Sequence, residues 1–210
     1  MKKIFVPDTM LCVATKQVLR SHFDIVNKPE DADAICFTGG EDINPSIYNG
    51  QCMNCTYYNE SRDKYELSLY NSYADKKFIG ICRGAQLLAA LKGCNLIQDI
   101  SSAHPLTHMV DYYRPDGEVE KVAVNSYHHQ AIIQPNSILG EFEVLMECDL
   151  LNGYTFNVGD SYPVLMENVA TVDMFKAGNV FGVQYHPELS GCSVRGIQCF
   201  LNEVKTFLEE

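Results

Sequence analysis

Gly80-Ile81-Cys82-Arg83-Gly84 sets a thiol between two glycines at the junction of two different patterns. The apolar pair Phe78-Ile79 before it reads as the end of a strand. Ala85-Gln86-Leu87-Leu88-Ala89-Ala90-Leu91 after it reads as a helix. Strand, Gly-x-nucleophile-x-Gly and helix together make a nucleophile elbow, with Cys in place of Ser. Glycines without a Cβ let strand and helix approach on either side of a sharp turn. The residue between them is expected to be exposed and to have a strained backbone. The helix that follows points its N-terminus at the sulfur, which favours the thiolate.

A base for that thiol stands near the other end of the chain. Phe181-Gly182-Val183-Gln184-Tyr185-His186-Pro187-Glu188 reads as a buried strand that stops at Pro187. His186 emerges at its end, and Glu188 follows two residues on. An imidazole can take the thiol proton, while a carboxylate on the far side of the ring fixes tautomer and orientation. By itself His-Pro-Glu is equally consistent with a strand-end His and a solvated Glu. With a Cys elbow upstream, the catalytic reading of Cys82, His186 and Glu188 prevails.

These groups need a frame. Lys3-Ile4-Phe5-Val6 is a short strand, Leu11 to Phe23 a helix, Asp24-Ile25-Val26 a second strand, and Asp33 to Thr38 a third that ends at Gly39-Gly40. This alternation predicts right-handed βαβ units, an α/β fold and a parallel sheet. Loops then gather at the C-terminal edge of the sheet, where such folds place their sites. Residues 41–60 read as one long loop beside the site, and such loops are often lids. Arg62 to Lys76 reads as a helix with Ser61 as its N-cap. Gly93 is expected to cap the elbow helix. Strands are expected over 95–100, 108–113, 118–124, 142–148, 164–171 and 180–185, with a closing amphipathic helix over 193–210.

The 210 residues suit a single domain, 1–210, with enough core to fold unaided. A net charge of -11 and the lack of a basic stripe argue against nucleic acid and anionic membranes as partners. Met1 to Val6 is too short for a signal-peptide core, and no run approaches transmembrane length. The nine cysteines are odd in number and scattered, which fits reduced thiols in the cytoplasm. Cys52-x-x-Cys55 and His104-x-x-x-His108 could together ligate zinc. Zinc fingers set their pairs closer, so the favoured reading is loop thiols and surface histidines, with no metal and no cofactor.

Five segments in order, spanning nearly the whole chain, carry a family resemblance. They are Thr38-Gly39-Gly40-Glu41-Asp42-Ile43-Asn44-Pro45, Arg62-Asp63-Lys64-Tyr65-Glu66, Gly80 to Gln86, Val124-Asn125-Ser126-Tyr127-His128-His129-Gln130, and Tyr185 to Glu188. The chain resembles the class I, or triad, glutamine amidotransferases. Within them it is similar to the γ-glutamyl hydrolase branch, of the γ-glutamyl-γ-aminobutyrate hydrolase type, where Arg directly after the nucleophile is usual. The resemblance implies a three-layer α/β/α, flavodoxin-like fold. Its central sheet would be mostly parallel, with a small additional antiparallel region.

The resemblance also implies acyl transfer. Cys82 would attack a side-chain carbonyl, expel an amine and leave a γ-glutamyl thioester that water hydrolyses. The backbone N–H of Arg83, directly after the nucleophile, is one expected oxyanion donor. By resemblance, the N–H of Gly40 is the other. Gly39, Gln86, Asn125, Ser126, Tyr127 and His128 are implied around the substrate's glutamyl head, with His128 a hydrogen-bonding support and not the base. His129 falls at a variable position. Arg62, Asp63 and Glu66 are expected to pin their helix against the lid loop.

Three functions compete: a self-contained γ-glutamyl amide hydrolase, a glutaminase subunit that passes ammonia to a synthetase partner, and a binding protein without catalysis. The intact triad disfavours the third. Cys82-Arg83-Gly84 and the Asn-Ser-x-His-x-Gln segment favour the first. The expected partner is a small γ-glutamyl substrate. A homodimer is compatible with the chain, as is a synthetase under the second reading.

Overall fold

A computed structural model describes residues 1–100, 105–133, 142–149, 155–156, 164–165 and 170–210. The N-terminal half alternates as its sequence pattern requires. Strand β1 (Lys3–Phe5) leads to helix α1 (Cys12–Leu19), β2 (Asp24–Val26), β3 (Ala34–Phe37), α2 (Glu60–Ser72), β4 (Lys77–Ile81) and α3 (Arg83–Leu91). The second half runs β5 (Asn95–Ile97), β6 (Thr107–Tyr113), β7 (Val119–Asn125), β8 (Ala131–Ile133), β9 (Phe142–Cys148), β10 (Thr155–Phe156), β11 (Val164–Leu165), β12 (Thr171–Ala177), β13 (Val180–Val183) and the closing helix α4 (Val194–Glu209).

Among the described residues one sheet of 11 strands carries the order β2-β1-β3-β4-β13-β12-β9-β6-β7, with β8 and β5 branching from β12. Its first five strands are parallel. From β13 onward every pairing is antiparallel. The sheet is therefore mixed. The antiparallel part is a continuation of the parallel part through the β12–β13 hairpin, and larger than the small addition expected. The layers are as expected: α1 and α4 pack on one face through Leu19, Phe200, Val204 and Phe207, while α2 and α3 cover the other through Leu69, Leu87 and Leu88.

Several boundaries differ from the sequence reading, each for a local reason. Helix α2 begins at Glu60, two residues earlier than its apolar pattern suggests. Its cap is Asn59, not Ser61: the Asn59 carboxamide oxygen accepts the N–H groups of Ser61 and Arg62 at 3.1 and 3.2 Å. Helix α1 stops at Leu19, and its Val13 is exposed while Thr15 is buried. In α4 the apolar stripe is buried apart from exposed Val194 and half-buried Ile197 in its first turns, and Ser193 caps the helix at the Gly196 N–H. Gly93 takes a positive φ of 89° just past α3, the expected cap.

The largest difference concerns β12. Of the expected strand over 164–171, residues 164–165 form β11 and Thr171 opens β12, while 166–169 lie outside the described residues. Thr171–Ala177 was missed because Asp173 and Lys176 interrupt its apolar pattern. Asp173 is nonetheless buried, with a buried histidine as partner. The 41–60 segment is not an open loop either. It contains a short 3-10 turn at Pro45–Tyr48 and folds back so that Asp42 bridges Tyr58.

Candidate active site

β3 and β4 lie side by side with Phe37 opposite Gly80, so the segments after them leave the sheet at the same edge. One carries Gly39-Gly40, the other Cys82-Arg83. The elbow itself is tight. Cys82 has φ 50° and ψ -107°, a strained conformation for a non-glycine residue. Its N–H donates to the Val183 carbonyl at 2.7 Å, and its own carbonyl accepts the Gln86 N–H at 2.9 Å. A Cβ on Gly84 would stand 2.3 Å from the Phe37 carbonyl oxygen, so no other residue lets α3 start this close to β3. Contrary to the expectation of an exposed nucleophile, Cys82 is only 5% exposed.

His186 follows β13, which runs parallel to β4 with Val183 opposite Ile81. The two strands therefore deliver Cys82 and His186 to the same edge. His186 Nδ1 pairs with Glu188 Oε1 at 2.7 Å, and both side chains are enclosed. Burial works against a charged ring. The Cys82 thiolate beside it and Glu188 on its other side outweigh that burial, and push the imidazole pKa up to about 10. The imidazole is thus held in its charged form between Cys82 and Glu188.

Gly39 backs onto this ring: a Cβ there would stand 2.5 Å from His186 Cε1. Gly40 has φ 147°, and a Cβ on it would strike Arg62 Nη1 at 2.1 Å. Arg62 is the reason for that close approach. Its Nη2 donates to the carbonyls of Thr38 and Gly39 at 2.9 and 3.0 Å, fixing the turn of the Gly-Gly loop. Its Nε pairs with Glu66 at 3.0 Å and its Nη1 with Glu41 at 3.1 Å. The Arg83 side chain joins the same cluster through Asp63 and Glu66. The Arg after the nucleophile and the Arg-Asp-x-x-Glu run are thus one buried ion network beneath the Gly-Gly loop. The sequence reading had α2 pinned to the lid loop. The network also grips the elbow.

The residues expected around the glutamyl head divide. The Asn125 side chain is engaged within the chain itself. Its Oδ1 accepts the His186 N–H at 2.8 Å, and its Nδ2 donates to the His186 and Ser190 carbonyls at 2.8 and 3.1 Å. It holds the His186 turn in place. Tyr127 sits at the mouth, 49% exposed, with its ring edge-on to His186 at 6.3 Å. His128 Nδ1 contacts the Gln130 carbonyl oxygen at 2.8 Å. Gln86 is buried and donates to Gln184 Oε1 at 3.3 Å. Ser126 is buried beside His108.

Gln184 was missed by sequence reading. Its Nε2 lies 3.8 Å from Cys82 Sγ, so Gln86 and Gln184 form a short amide chain leading to the Cys82 sulfur. The available signal was one amide inside an otherwise apolar strand. His129 was set aside as variable, yet its Nε2 pairs with Asp42 Oδ1 at 2.9 Å. That hydrogen bond raises the ring's pKa. Asp42 also accepts the Tyr57 N–H at 2.9 Å, so His129 ties the 41–60 segment to the loop after β7.

Of the four residues weighed for zinc, His104 lies outside the described residues. His108 is a buried partner of Asp173 and Ser126, not a surface histidine, and Cys55 Sγ faces the Gln98 carbonyl. Among the described residues no group of three or more His, Cys, Asp or Glu could hold a metal ion. Among them, too, no helix is long and apolar enough to cross a membrane.

Comparison with known proteins follows the same lines. Protein NtpR of Enterococcus hirae is 29% identical over 188 residues, covering 78% of this chain and 70% of its own length. The glutamine amidotransferase-like protein YvdE of Lactococcus lactis is 28% identical over 161 residues, covering 74% and 66%. In fold, the chain superposes on a GMP synthase subunit of Thermoplasma acidophilum with TM-score 0.59 at 16% identity, over 100% of this chain and 98% of that one. A glutamine amidotransferase of Thermotoga maritima gives TM-score 0.55 at 14% identity, over 100% and 84%. These neighbours establish the class I glutamine amidotransferase fold. The Peptidase C26 family model matches residues 19–188, a span that opens at the end of α1 and closes on Glu188, and the chain belongs to that family of cysteine-dependent, amidotransferase-like enzymes.

Proposed function

We propose that this chain is a self-contained hydrolase of γ-glutamyl amides. The observation that carries the reading is the His186 ring, held charged between Cys82 and Glu188 at a strained elbow. The Cys82 thiolate attacks the γ-carbonyl carbon, and its electron pair forms the C–S bond. The carbonyl π pair moves to oxygen, where the N–H groups of Arg83 and Gly40 receive the charge. Such donors are worth roughly 10²–10³ in rate each. On collapse the C–N bond breaks, and His186 gives its proton to the departing amine. Water then adds to the γ-glutamyl thioester with His186 as base, releasing glutamate and restoring the thiolate.

A cavity of about 580 Å³ supports an open leaving-group site. Asp8, Met10, Glu41, Asn59 and Arg62 line it, so it runs along both ends of the 41–60 segment, at the rim of Gly40. Its arginine is already committed to Glu41, Glu66 and two carbonyls. That argues for a leaving amine without a poly-γ-glutamate tail. The second reading, an ammonia-supplying subunit, draws on the amidotransferase-like description of its Lactococcus lactis relative. Steady-state kinetics with the purified chain separates the two. The hydrolase is expected to turn over without a partner, and to prefer a substituted γ-glutamyl amide over glutamine, because a remote group in the cavity can raise kcat as well as lower KM. If glutamine is the best substrate and a synthetase raises kcat many-fold, the second reading holds.

The charge on His186 fixes a pH dependence. An imidazole raised from 6.5 to about 10 keeps its proton across the neutral range and loses it as pH rises through about 10. Because His186 must protonate the amine, kcat/KM is expected to fall about tenfold per unit above that point. The same shift stabilises the fold fully below pH 6.5, a contribution lost as pH rises through about 10. An alkaline limb of kcat/KM centred near pH 7 would contradict the raised imidazole.

A further inference from the structure

Strand alternation divides the end of β13 between the two faces of the sheet. Val183 and Tyr185 belong to the core under α4, where the Tyr185 hydroxyl donates to the Gly196 carbonyl at 3.0 Å. Gly182 faces α3, since a Cβ on it would stand 3.0 Å from the Ala85 Cβ. Gln184 lies two residues on and shares that face. It is an amide in an otherwise apolar strand end, and only 2% exposed. A buried amide is tolerated where its polar ends are met. Here Oε1 accepts from Gln86 Nε2 of α3 at 3.3 Å, and Nε2 lies 3.8 Å from Cys82 Sγ. The main chain is fixed as well, because the Gln184 N–H donates to the Asp173 carbonyl at 2.8 Å.

We infer that Gln184 is a further catalytic residue, whose side-chain N–H donates to the Cys82 sulfur and steadies its negative charge before attack and again when the thioester is cleaved. The inference rests on the part of the reading above that makes Cys82 the nucleophile, and not on which amide is cleaved. With Oε1 turned to the donor on Gln86, the end of the amide that faces Sγ is its NH₂ group. Such a donor favours the charged form of its partner over the neutral one. When the sulfur pair forms the C–S bond, the N–H loses its charged acceptor. When water breaks that bond the pair returns to sulfur, and the hydrogen bond forms again. No proton leaves Gln184, so its part is distinct from that of His186. Gln86 is a positioning residue in this scheme. It fixes the orientation of the Gln184 amide and, by polarising the carbonyl, makes the N–H a stronger donor.

Gln184→Met removes the donor and keeps the length of the side chain. The purified full chain is labelled with iodoacetamide across a pH series, and labelling of Cys82 is followed by peptide mass spectrometry. The reagent has no glutamyl head, so this arm is independent of the substrate. A hydrogen bond to a charged group corresponds to about 10- to 100-fold in an equilibrium. The pH of half-maximal labelling is therefore expected to rise by about one to two units in Gln184→Met. Gln184→Glu, which sets an acceptor where the donor was, should raise it further. Gln86→Met should raise it less, and should add nothing in the Gln184→Met background. With γ-glutamyl-p-nitroanilide, Gln184→Met should lower kcat by about 10- to 100-fold and change KM little, because the amide touches the sulfur. A labelling profile within about 0.3 units of wild type in Gln184→Met, or equal and additive effects of the two Met variants, overturns the inference. Should Gln184→Met not fold, nitrogen-15 NMR decides. One Gln184 side-chain proton is expected downfield of the ordinary glutamine range in wild type and within it in Cys82→Ala, and an ordinary position in both overturns the inference. If no γ-glutamyl amide is cleaved while Cys82 is still labelled, the hydrolase reading fails and the labelling profiles alone decide the role of Gln184.

Discussion

Cys82→Ala is expected to reduce kcat by about 10⁶-fold and to leave the fold intact, since losses of that size accompany removal of a triad nucleophile. The fold should survive because alanine fills the same small space and keeps the same main-chain bonds, to the Val183 carbonyl and from the Gln86 N–H. The strained φ of 50° penalises Cys and Ala alike, so the substitution does not relieve it. His186→Ala should approach the same loss, because that ring both holds the thiolate and delivers the proton. Glu188→Gln should cost less, since Glu188 orients the ring and moves no proton. Iodoacetamide should label Cys82 ahead of buried Cys36, Cys94 and Cys199, whose thiols burial raises above their ordinary pKa. The assignment fails if pure Cys82→Ala retains activity within tenfold of wild type, or if His128→Ala is inactive while His186→Ala is not.

Glu66→Ala should be the most destabilising of the side-chain truncations around the site, at about 3–5 kcal/mol. Glu66 is fully buried and accepts from two guanidinium groups, Arg62 and Arg83. Its removal strips the acceptor from Arg62 Nε and from Arg83 Nη1 and leaves two charged donors unsatisfied in the interior, which costs more than the bonds contribute. A domain of ordinary stability, about 5–15 kcal/mol, would lose a large share of it. Activity should fall as well, because Arg62 fixes the Thr38 and Gly39 carbonyls and thereby the position of Gly40. Glu66→Gln keeps one acceptor and should lose less. Urea unfolding of the three proteins measures this. A loss under about 1 kcal/mol for Glu66→Ala would show that the network does not carry the Gly-Gly loop.

The contrast between these experiments follows the contrast between sequence and structure. Sequence alone determined the elbow, the strand-end histidine and the carboxylate two residues beyond it. It also determined the alternation that brings β3 and β4 to one edge, and the cap at Gly93. These are short-range matters. A strand-to-helix turn, a helix end and a Pro stop depend on sterics among residues a few positions apart, so their signals lie within short windows. Tertiary structure decided the partners. The Asn125 side chain clamps the His186 turn across 61 residues. Gln184 reached Cys82 across 102 residues. Arg83 found Asp63 and Glu66 only because α2 packs beneath the elbow. Asp173 made β12 unreadable as a strand until β6 supplied His108 opposite it. A buried polar side chain is tolerable only where a partner meets it, and that partner is fixed by sheet order and register, which no local pattern encodes.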